Sequence, residues 1–600
     1  MTLPKMMTIG TLAAGYEAGT LTPLDVIEAV IGRIQSWPDP AVWISRFSDD
    51  ELRAAAKALM AAGGPSPDKP LWGIPFAVKD NIDCAGLETT AACPAFAYRP
   101  AQDATVVARL RAAGAIPVGK TNLDQFATGL NGTRSPYGAP RSVFDADYIS
   151  GGSSSGSAVA VGAGIVAFSL GTDTAGSGRV PASFNNLVGV KPSKGMFSTT
   201  GLVPACRSLD CISVFAATAG EADFVRRVAA GLDPADPFSR DLPDVVLPTE
   251  GLRVGVPVGA EREFFGDAAN EAIYVAAIEA MKALGCSIVE IDFAPFREAA
   301  NLLYSGPWVA ERLAAVEAFH AAHADAMDPN VRKIVEGALG VTAVDAFRGL
   351  YALEGFRQKT AATWAMVDIL LLPTTPLFPK VSDMLADPIG LNSKLGRYTN
   401  FVNLMDCAGI AVPAGFRPDG LPFGVTLIGP AFSDAALAVW GDRLHKAAAT
   451  GYGLDTTADL SAMPAPEGPQ VERIEVVVVG AHLSGMPLNP QLTGGGGVLV
   501  KRCRTASDYR LYALPGTVPP KPGLLHSPGF DGPGLEVEVW ALPPAAFGRF
   551  VAAIPAPLGI GKVTLDDGSD VSGFLCEPHA LEGAAEITAL GGWRAYCAAK

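Results

Sequence analysis

Residues 151–179 read GGSSSGSAVAVGAGIVAFSLGTDTAGSGR. The stretch carries no Lys, Arg, Glu or His before Arg179, and its only acid is Asp173. Two hydroxyl clusters, Ser153/Ser154/Ser155 and Ser177, are joined by a segment of small apolar residues and flanked by glycines. Glycine tolerates positive φ and lets backbone N–H groups approach a ligand closely. A serine among such glycines is therefore a candidate nucleophile beside a candidate oxyanion hole. The plain structural alternative is a Gly/Ser loop leading into a buried helix.

A lysine upstream shifts the balance. Gly73 to Asn81 reads GIPFAVKDN and puts Lys79 at the end of an apolar run, although lysine is rarely buried without a reason. With Lys79 in GIPFAVKDN, Ser153 in GGSSSGS and Ser177 in GTDTAGSGR, the chain resembles the amidase signature family over roughly residues 1–445. The family's spacings between lysine, first serine and nucleophile are kept. One departure is visible: Ser155 and Ser157 stand where the family usually has glycines.

The resemblance implies a relay in which neutral Lys79 takes a proton from Ser153 and Ser153 takes one from Ser177. It also implies a cis peptide before Ser153. Burial away from counter-charges lowers a lysine pKa, which such a base requires. Backbone N–H groups of Thr174, Ala175 and Gly176, with that of Ser177, are the expected oxyanion hole. A Ser–Lys relay also accounts for the histidines, which lie at 320, 323, 445, 482, 526 and 579, none in the first 319 residues.

Blander patterns stand beside it. Gly152 to Gly156 matches the G-x-S-x-G elbow, but no clean strand precedes it. Gly162 to Ala167 matches G-x-G-x-x-A without an acid at the right distance. His320-Ala-Ala-His323 lacks the glutamate of a zinc helix and reads as helix surface. Gly494 to Gly497 lacks the G-K-[ST] ending of a phosphate loop.

Composition sets wider limits. Six hundred residues exceed one ordinary core, so two or three domains are expected. Hydrophobic residues at 49% and charged residues at 18% describe a globular chain. A net charge of −15 without a basic block argues against nucleic-acid binding. Nine scattered cysteines with no C-x-x-C pair fit a reducing cytoplasm and no zinc knuckle. The N-terminus reads as no signal peptide, and the apolar segment 158–170 is too short to span a bilayer.

Helix and strand signals alternate along the first 450 residues, which points to an α/β sheet with helices on both faces. Thr22-Pro23 opens a helix, Asp49 to Ala62 forms another, and Leu71 to Val78 is the strand that delivers Lys79. Residues 294–365 are mostly helical. Ile369 to Pro373, Gly409 to Val412 and Phe423 to Ile428 are strands, and Ala435 to Ala449 is a helix. Pro, Gly and small polar residues dominate 450–471, a linker or surface crossover. Beyond it come β-rich runs at 474–479, 497–501 and 535–540. The expected division is 1–450 amidase signature domain, 451–471 linker and 472–600 C-terminal domain. The fold class is α/β, a mixed sheet core flanked by helices, with a smaller α+β domain. The family resemblance makes that smaller domain γ-glutamyl cyclotransferase-like.

Thr121 to Gly138, with TNLDQFATG and GTRSPYG, resembles the allophanate hydrolase branch of the family, as does the run from Asn301 to Arg312. In that branch Tyr304 and Arg312 bind a substrate carboxylate. On sequence alone both are surface or interface residues. The resemblance implies hydrolysis of allophanate to ammonia and carbon dioxide by way of N-carboxycarbamate, in urea degradation. It implies a homodimer and no metal, nucleotide or other cofactor. Alternatives are a broader amidase, the amide-hydrolysing subunit of a tRNA-dependent amidotransferase, or a C-terminal module that recruits a urea carboxylase. His482, in a glycine-rich loop after an apolar strand, is either a structural turn histidine or a proton carrier for decarboxylation.

Overall fold

The computed structural model describes residues 3–470 and 472–599. Met1, Thr2, Val471 and Lys600 fall within the expected domain and linker ranges but lie outside the described residues. The chain divides into Met1–Pro469 and Gln470–Lys600.

The first unit is built on one 11-stranded sheet. Its strands are β1 (Trp43–Arg46), β2 (Pro75–Lys79), β3 (Ile116–Thr121), β4 (Phe168–Asp173), β5 (Val188–Lys191) and β6 (Cys211–Ala216). They continue as β7 (Arg253–Pro257), β8 (Ser287–Ile291), β9 (Ile369–Pro373), β10 (Cys407–Phe416) and β11 (Pro422–Pro430). The spatial order is β1-β3-β2-β4-β6-β5-β10-β11-β9-β7-β8. The sheet is mixed: β2 runs parallel to β3 and β4, whereas β4, β6, β5, β10, β11 and β9 are successively antiparallel.

The central strands are covered on both faces, which explains their unbroken apolar runs. Every residue of β2, β3, β4 and β6 is buried. Because β2, β3 and β4 are parallel, their carboxyl ends lie together. Lys79 ends β2, Asp173 ends β4, and the chain leaves β3 into Asn122 to Asp124. The loops beyond parallel carboxyl ends are where open α/β sheets bind ligands.

Local signals match where they are self-contained. Thr22 caps helix Pro23–Ser36 in a capping box with Asp25, and Ser48 with Glu51 does the same for Asp49–Ala61. The strand expected from Leu71 begins instead at Pro75, because Leu71 to Ile74 forms a turn with Gly73 at φ 74°. The helical region 294–365 is four α-helices: Ala294–Ser305, Trp308–His323, Pro329–Glu336 and Ala343–Met366. Residues 451–469 count with the first unit, where Tyr452 and Leu460 pack with Met6 and Ala217 as a surface crossover.

The second unit holds β12 (Ile474–Val478), β13 (Val498–Arg504), β14 (Tyr509–Ala513), β15 (Pro522–His526), β16 (Glu536–Leu542), β17 (Leu558–Thr564), β18 (Asp570–Cys576) and β19 (Ala585–Glu586). Five form a sheet in the order β13-β16-β12-β18-β17, and three form β15-β14-β19. Its core includes Val476, Leu511, Val537, Trp540 and Trp593.

Candidate active site

Lys79 is fully buried and gives its three N–H donors to three hydroxyls: Thr172 Oγ1 at 2.6 Å, Ser153 Oγ at 2.8 Å and Ser154 Oγ at 3.0 Å. Burial pulls its pKa down to about 7, against the opposing pull of Asp124, Asp210 and Asp173. Ser154 donates in turn to the Thr172 carbonyl and accepts from the Thr172 N–H. Its proton is thus committed, and it serves as a fixed partner for Lys79. The peptide between Gly152 and Ser153 is cis.

Ser177 sits on the turn after β4. Asp173 organises that turn: its carboxylate takes the Gly176 and Gly178 N–H groups at 2.8 and 3.1 Å and a two-pronged ion pair from Arg179 at 2.9 and 3.0 Å. Burial opposes this charge, but the Arg179 guanidinium outweighs it and holds Asp173 below the usual carboxylate range. Glycine is required at 176, where φ is 133° and a Cβ would meet Thr399 Oγ1 at 2.5 Å.

Two details depart from the sequence expectation. The Gly176 N–H, an expected oxyanion donor, is taken by Asp173; the N–H groups of Thr174, Ala175 and Ser177 have no acceptor among the described residues. Ser177 Oγ donates to the Gly129 carbonyl at 3.3 Å and makes no hydrogen bond to Ser153. Thr174 is braced from behind, its hydroxyl donating at 2.5 Å to the buried Asp210, whose pKa burial pushes up to about 6.

Arg312 and Tyr304 come together. They lie on helices Trp308–His323 and Ala294–Ser305, and the break at Gly306-Pro307 turns the guanidinium over the Tyr304 ring, 5.2 Å from its centroid. Arg312 is 2% exposed, and its one hydrogen bond among the described residues goes from Nη1 to Thr128 Oγ1 at 3.1 Å. Its buried Nε has no partner, and no carboxylate pairs with it among the described residues. Burial disfavours its charge, but nearby groups including Asp210 and Glu311 favour it and hold its pKa above the usual value, so the cation persists with its fork unfilled. Thr128 adjoins Gly129, so one dipeptide touches both Arg312 and Ser177.

His482 occupies a separate cavity in the second unit. Its ring stacks on Phe574 at 5.2 Å and meets Phe550 edge-on at 5.1 Å, and Nε2 bonds Gln491 Oε1 at 2.9 Å. The loop carrying it is tied down by buried Glu538, which accepts from Ser484 N and Oγ, Trp540 Nε1, Arg502 and Arg594.

Against family models, residues 25–438 match Amidase and residues 474–598 match the Allophanate hydrolase C-terminal domain. The chain belongs to the amidase family. Among curated relatives of this amidase, a urea amidolyase of Lachancea kluyveri is 46% identical over 577 residues, covering 94% of this chain but 31% of that protein. The chain thus spans about a third of the length of the urea amidolyases it matches. A subunit of the glutamyl-tRNA(Gln) amidotransferase of Anaeromyxobacter is 33% identical over 76% of this chain and 96% of its own. The solved allophanate hydrolase of Kluyveromyces lactis superposes with a TM-score of 0.86 at 42% identity, covering 99% of both chains.

Sequence reading of this amidase missed Thr172, Asp124 and Asp210. Asp124 accepts the N–H groups of Asn131, Gly132 and Arg134 and donates its own to the Ser153 carbonyl, so it shapes the floor under Ser153. For Thr172 the available signal was a hydroxyl next to the end of the buried strand β4.

Proposed function

We propose that the first unit hydrolyses the terminal amide of allophanate, with Lys79, Ser153 and Ser177 as the catalytic residues and Tyr304 and Arg312 holding the substrate carboxylate. The reading is carried by the buried Arg312 guanidinium, which has no directly paired carboxylate among the described residues and reaches the same dipeptide as Ser177. The substrate carboxylate supplies the missing charge in a planar, two-pronged contact, and the substrate's short length brings its amide carbon to Ser177.

In this mechanism Ser177 Oγ turns from the Gly129 carbonyl to Ser153. Neutral Lys79 accepts the Ser153 proton while Ser153 accepts that of Ser177, and Ser177 Oγ bonds to the amide carbon. The developing oxyanion faces the free N–H groups of Thr174, Ala175 and Ser177, each such donor being worth roughly 3 kcal/mol in comparable enzymes. The proton returns through Ser153 to the amide nitrogen and ammonia leaves. Water then opens the acyl-enzyme by the same relay and releases N-carboxycarbamate.

The second unit completes the reaction in this reading. Protonation at the N-carboxycarbamate nitrogen breaks one C–N bond, its electron pair stays on nitrogen, and carbon dioxide leaves with carbamate behind. His482 carries that proton. The expected result for His482→Ala in the full chain is normal release of the first ammonia with accumulation of N-carboxycarbamate, followed by carbon-13 NMR. Clearance at the wild-type rate would make His482 an ordinary loop histidine.

Similarity to one part of the longer urea amidolyases supports work beside a urea carboxylase in urea degradation. The homodimer and the cytoplasmic setting belong to the same reading; no described helix is long and apolar enough to cross a membrane. Relatives among amidotransferase subunits keep a broader amidase in play. Ammonia release from allophanate, biuret, malonamate and glutamine discriminates them, and preference for glutamine would overturn the proposal. Arg312→Lys is expected to lose about 10- to 100-fold in kcat/KM on allophanate, because an ammonium cannot reproduce a planar fork. Uncharged amides should lose much less; equal losses would make Arg312 structural.

A further inference from the structure

Two pairs of residues that carry a Cβ stand in the left-handed backbone region: Ala91 and Ala92 at φ 50° and 57°, and Phe126 and Ala127 at φ 50° and 52°. That conformation is disfavoured for such residues and persists only where neighbours impose it. Here the two pairs are tied together. The Phe126 N–H donates to the Ala91 carbonyl at 3.0 Å, and Gln125 Nε2 donates to the Ala92 carbonyl at 3.0 Å. Gln125 Oε1 accepts the Asp328 N–H at 2.7 Å, at the start of helix Pro329–Glu336.

What this strained turn delivers is Thr128–Gly129, the dipeptide that touches both Arg312 and Ser177. Thr128 Oγ1 donates its one proton to the Phe126 carbonyl at 3.1 Å, so towards Arg312 Nη1 it is an acceptor. That contact leaves the Nε–Nη2 edge of the guanidinium without an acceptor among the described residues. It is an edge that meets a carboxylate with two parallel hydrogen bonds.

Arg134 locks the dipeptide from the other side. It is 2% exposed, and its guanidinium holds two carbonyls at once, Thr128 O from Nη1 at 2.9 Å and Pro388 O from Nη2 at 2.6 Å. Its own carbonyl accepts the Gln125 N–H at 2.7 Å. Beyond Gly129, Asn392 Oδ1 accepts from Leu130 N and Asn131 Nδ2, both at 2.8 Å. Thr128–Gly129 is therefore pinned at both ends, and with it the Thr128 hydroxyl that aims Arg312.

We propose that Arg134 is a positioning residue that sets the span between the Arg312 fork and Ser177 by holding Thr128–Gly129, and so selects amido acids with one atom between the carboxylate and the amide carbon. It acts through Thr128 and not on the substrate. The proposal rests on the reading above, in which Arg312 takes the substrate carboxylate.

Ammonia release from malonamate, which like allophanate has one atom between carboxylate and amide carbon, is compared with release from succinamate, which has two. The wild type should prefer malonamate by more than tenfold in kcat/KM. Arg134→Lys should lower that preference at least fivefold, because an ammonium is a point charge and does not reproduce a planar clamp on two carbonyls. Thr128→Val keeps the side-chain shape without the hydroxyl and should lower it as well, whereas Thr128→Ser should keep it. A variant that is merely less folded loses both substrates in proportion and leaves the ratio where it was. A ratio unchanged in Arg134→Lys and Thr128→Val, or a wild type that takes both substrates equally or takes neither, would overturn the proposal. Arg312→Lys separates the proposal from the reading beneath it. If that variant loses malonamate and uncharged propionamide alike, the carboxylate site falls and the clamp with it. If it loses malonamate selectively while Arg134→Lys keeps the wild-type ratio, the carboxylate site stands and the clamp alone falls.

Discussion

Ser177→Ala is expected to release ammonia from allophanate at least about 10⁴-fold more slowly than the wild type while remaining folded, a loss on the scale seen when a catalytic serine is removed. The expectation follows from geometry. The turn is held without Ser177's help, by Asp173 through Gly176, Gly178 and Arg179. The side-chain hydrogen bond that disappears is the long one to the Gly129 carbonyl. Its loss costs on the order of 1 kcal/mol of stability. The variant should therefore melt close to the wild type and still bind allophanate through Arg312. Steady-state ammonia assays with calorimetric binding on the same preparation test both halves. A folded Ser177→Ala protein with near-wild-type turnover would end the proposed relay.

Lys79→Ala carries the second large effect, and its pH dependence is the sharper test. Lys79 acts as a base only when neutral, and its pKa lies near 7. Wild-type kcat/KM should rise about tenfold per pH unit below that value and level off above it. The variant should fall roughly 10²- to 10⁴-fold at neutral pH and keep rising with pH as hydroxide replaces the missing base. Stability moves as well. Between pH 7 and 10.5 the unfolded chain carries a proton on Lys79 that the folded chain lacks, so the wild type gains stability with rising pH. Below pH 7 both states are protonated and the cost of burying the charge is fully felt. Denaturant melts at pH 7 and pH 9 should show the wild type gaining on Lys79→Ala by on the order of 2 kcal/mol. A pH-independent gap, or a variant with most of its neutral-pH activity, would remove Lys79 from the mechanism.

What the sequence determined by itself is what depends on short-range order. Thr22-Pro23 with Asp25, and Ser48 with Glu51, set helix starts because a capping box is complete within four residues. The apolar run before Lys79 marked a strand buried on both faces, and the two Gly/Ser motifs marked tight backbone turns. Three such motifs in one order were enough to reveal the family that the comparisons then showed.

The tertiary structure decided everything that rests on which distant groups share a contact. Lys79, Ser153 and Thr172 meet because β2 and β4 are parallel neighbours, with Val78 opposite Leu170, and no local pattern encodes that pairing. Arg312 reads as a surface or interface residue by its type alone, although it shares a helix face with Trp308 and Val316. It is buried because the Gly306-Pro307 break redirects its helix and the Thr128 hydroxyl, 184 positions earlier in the chain, receives it. Gly176 looked like an oxyanion donor because nothing in GTDTAGSGR reveals that the Asp173 carboxylate curls back onto its N–H. Charge compensation and hydrogen-bond satisfaction are settled by neighbours in space, and long-range strand pairing supplies those neighbours.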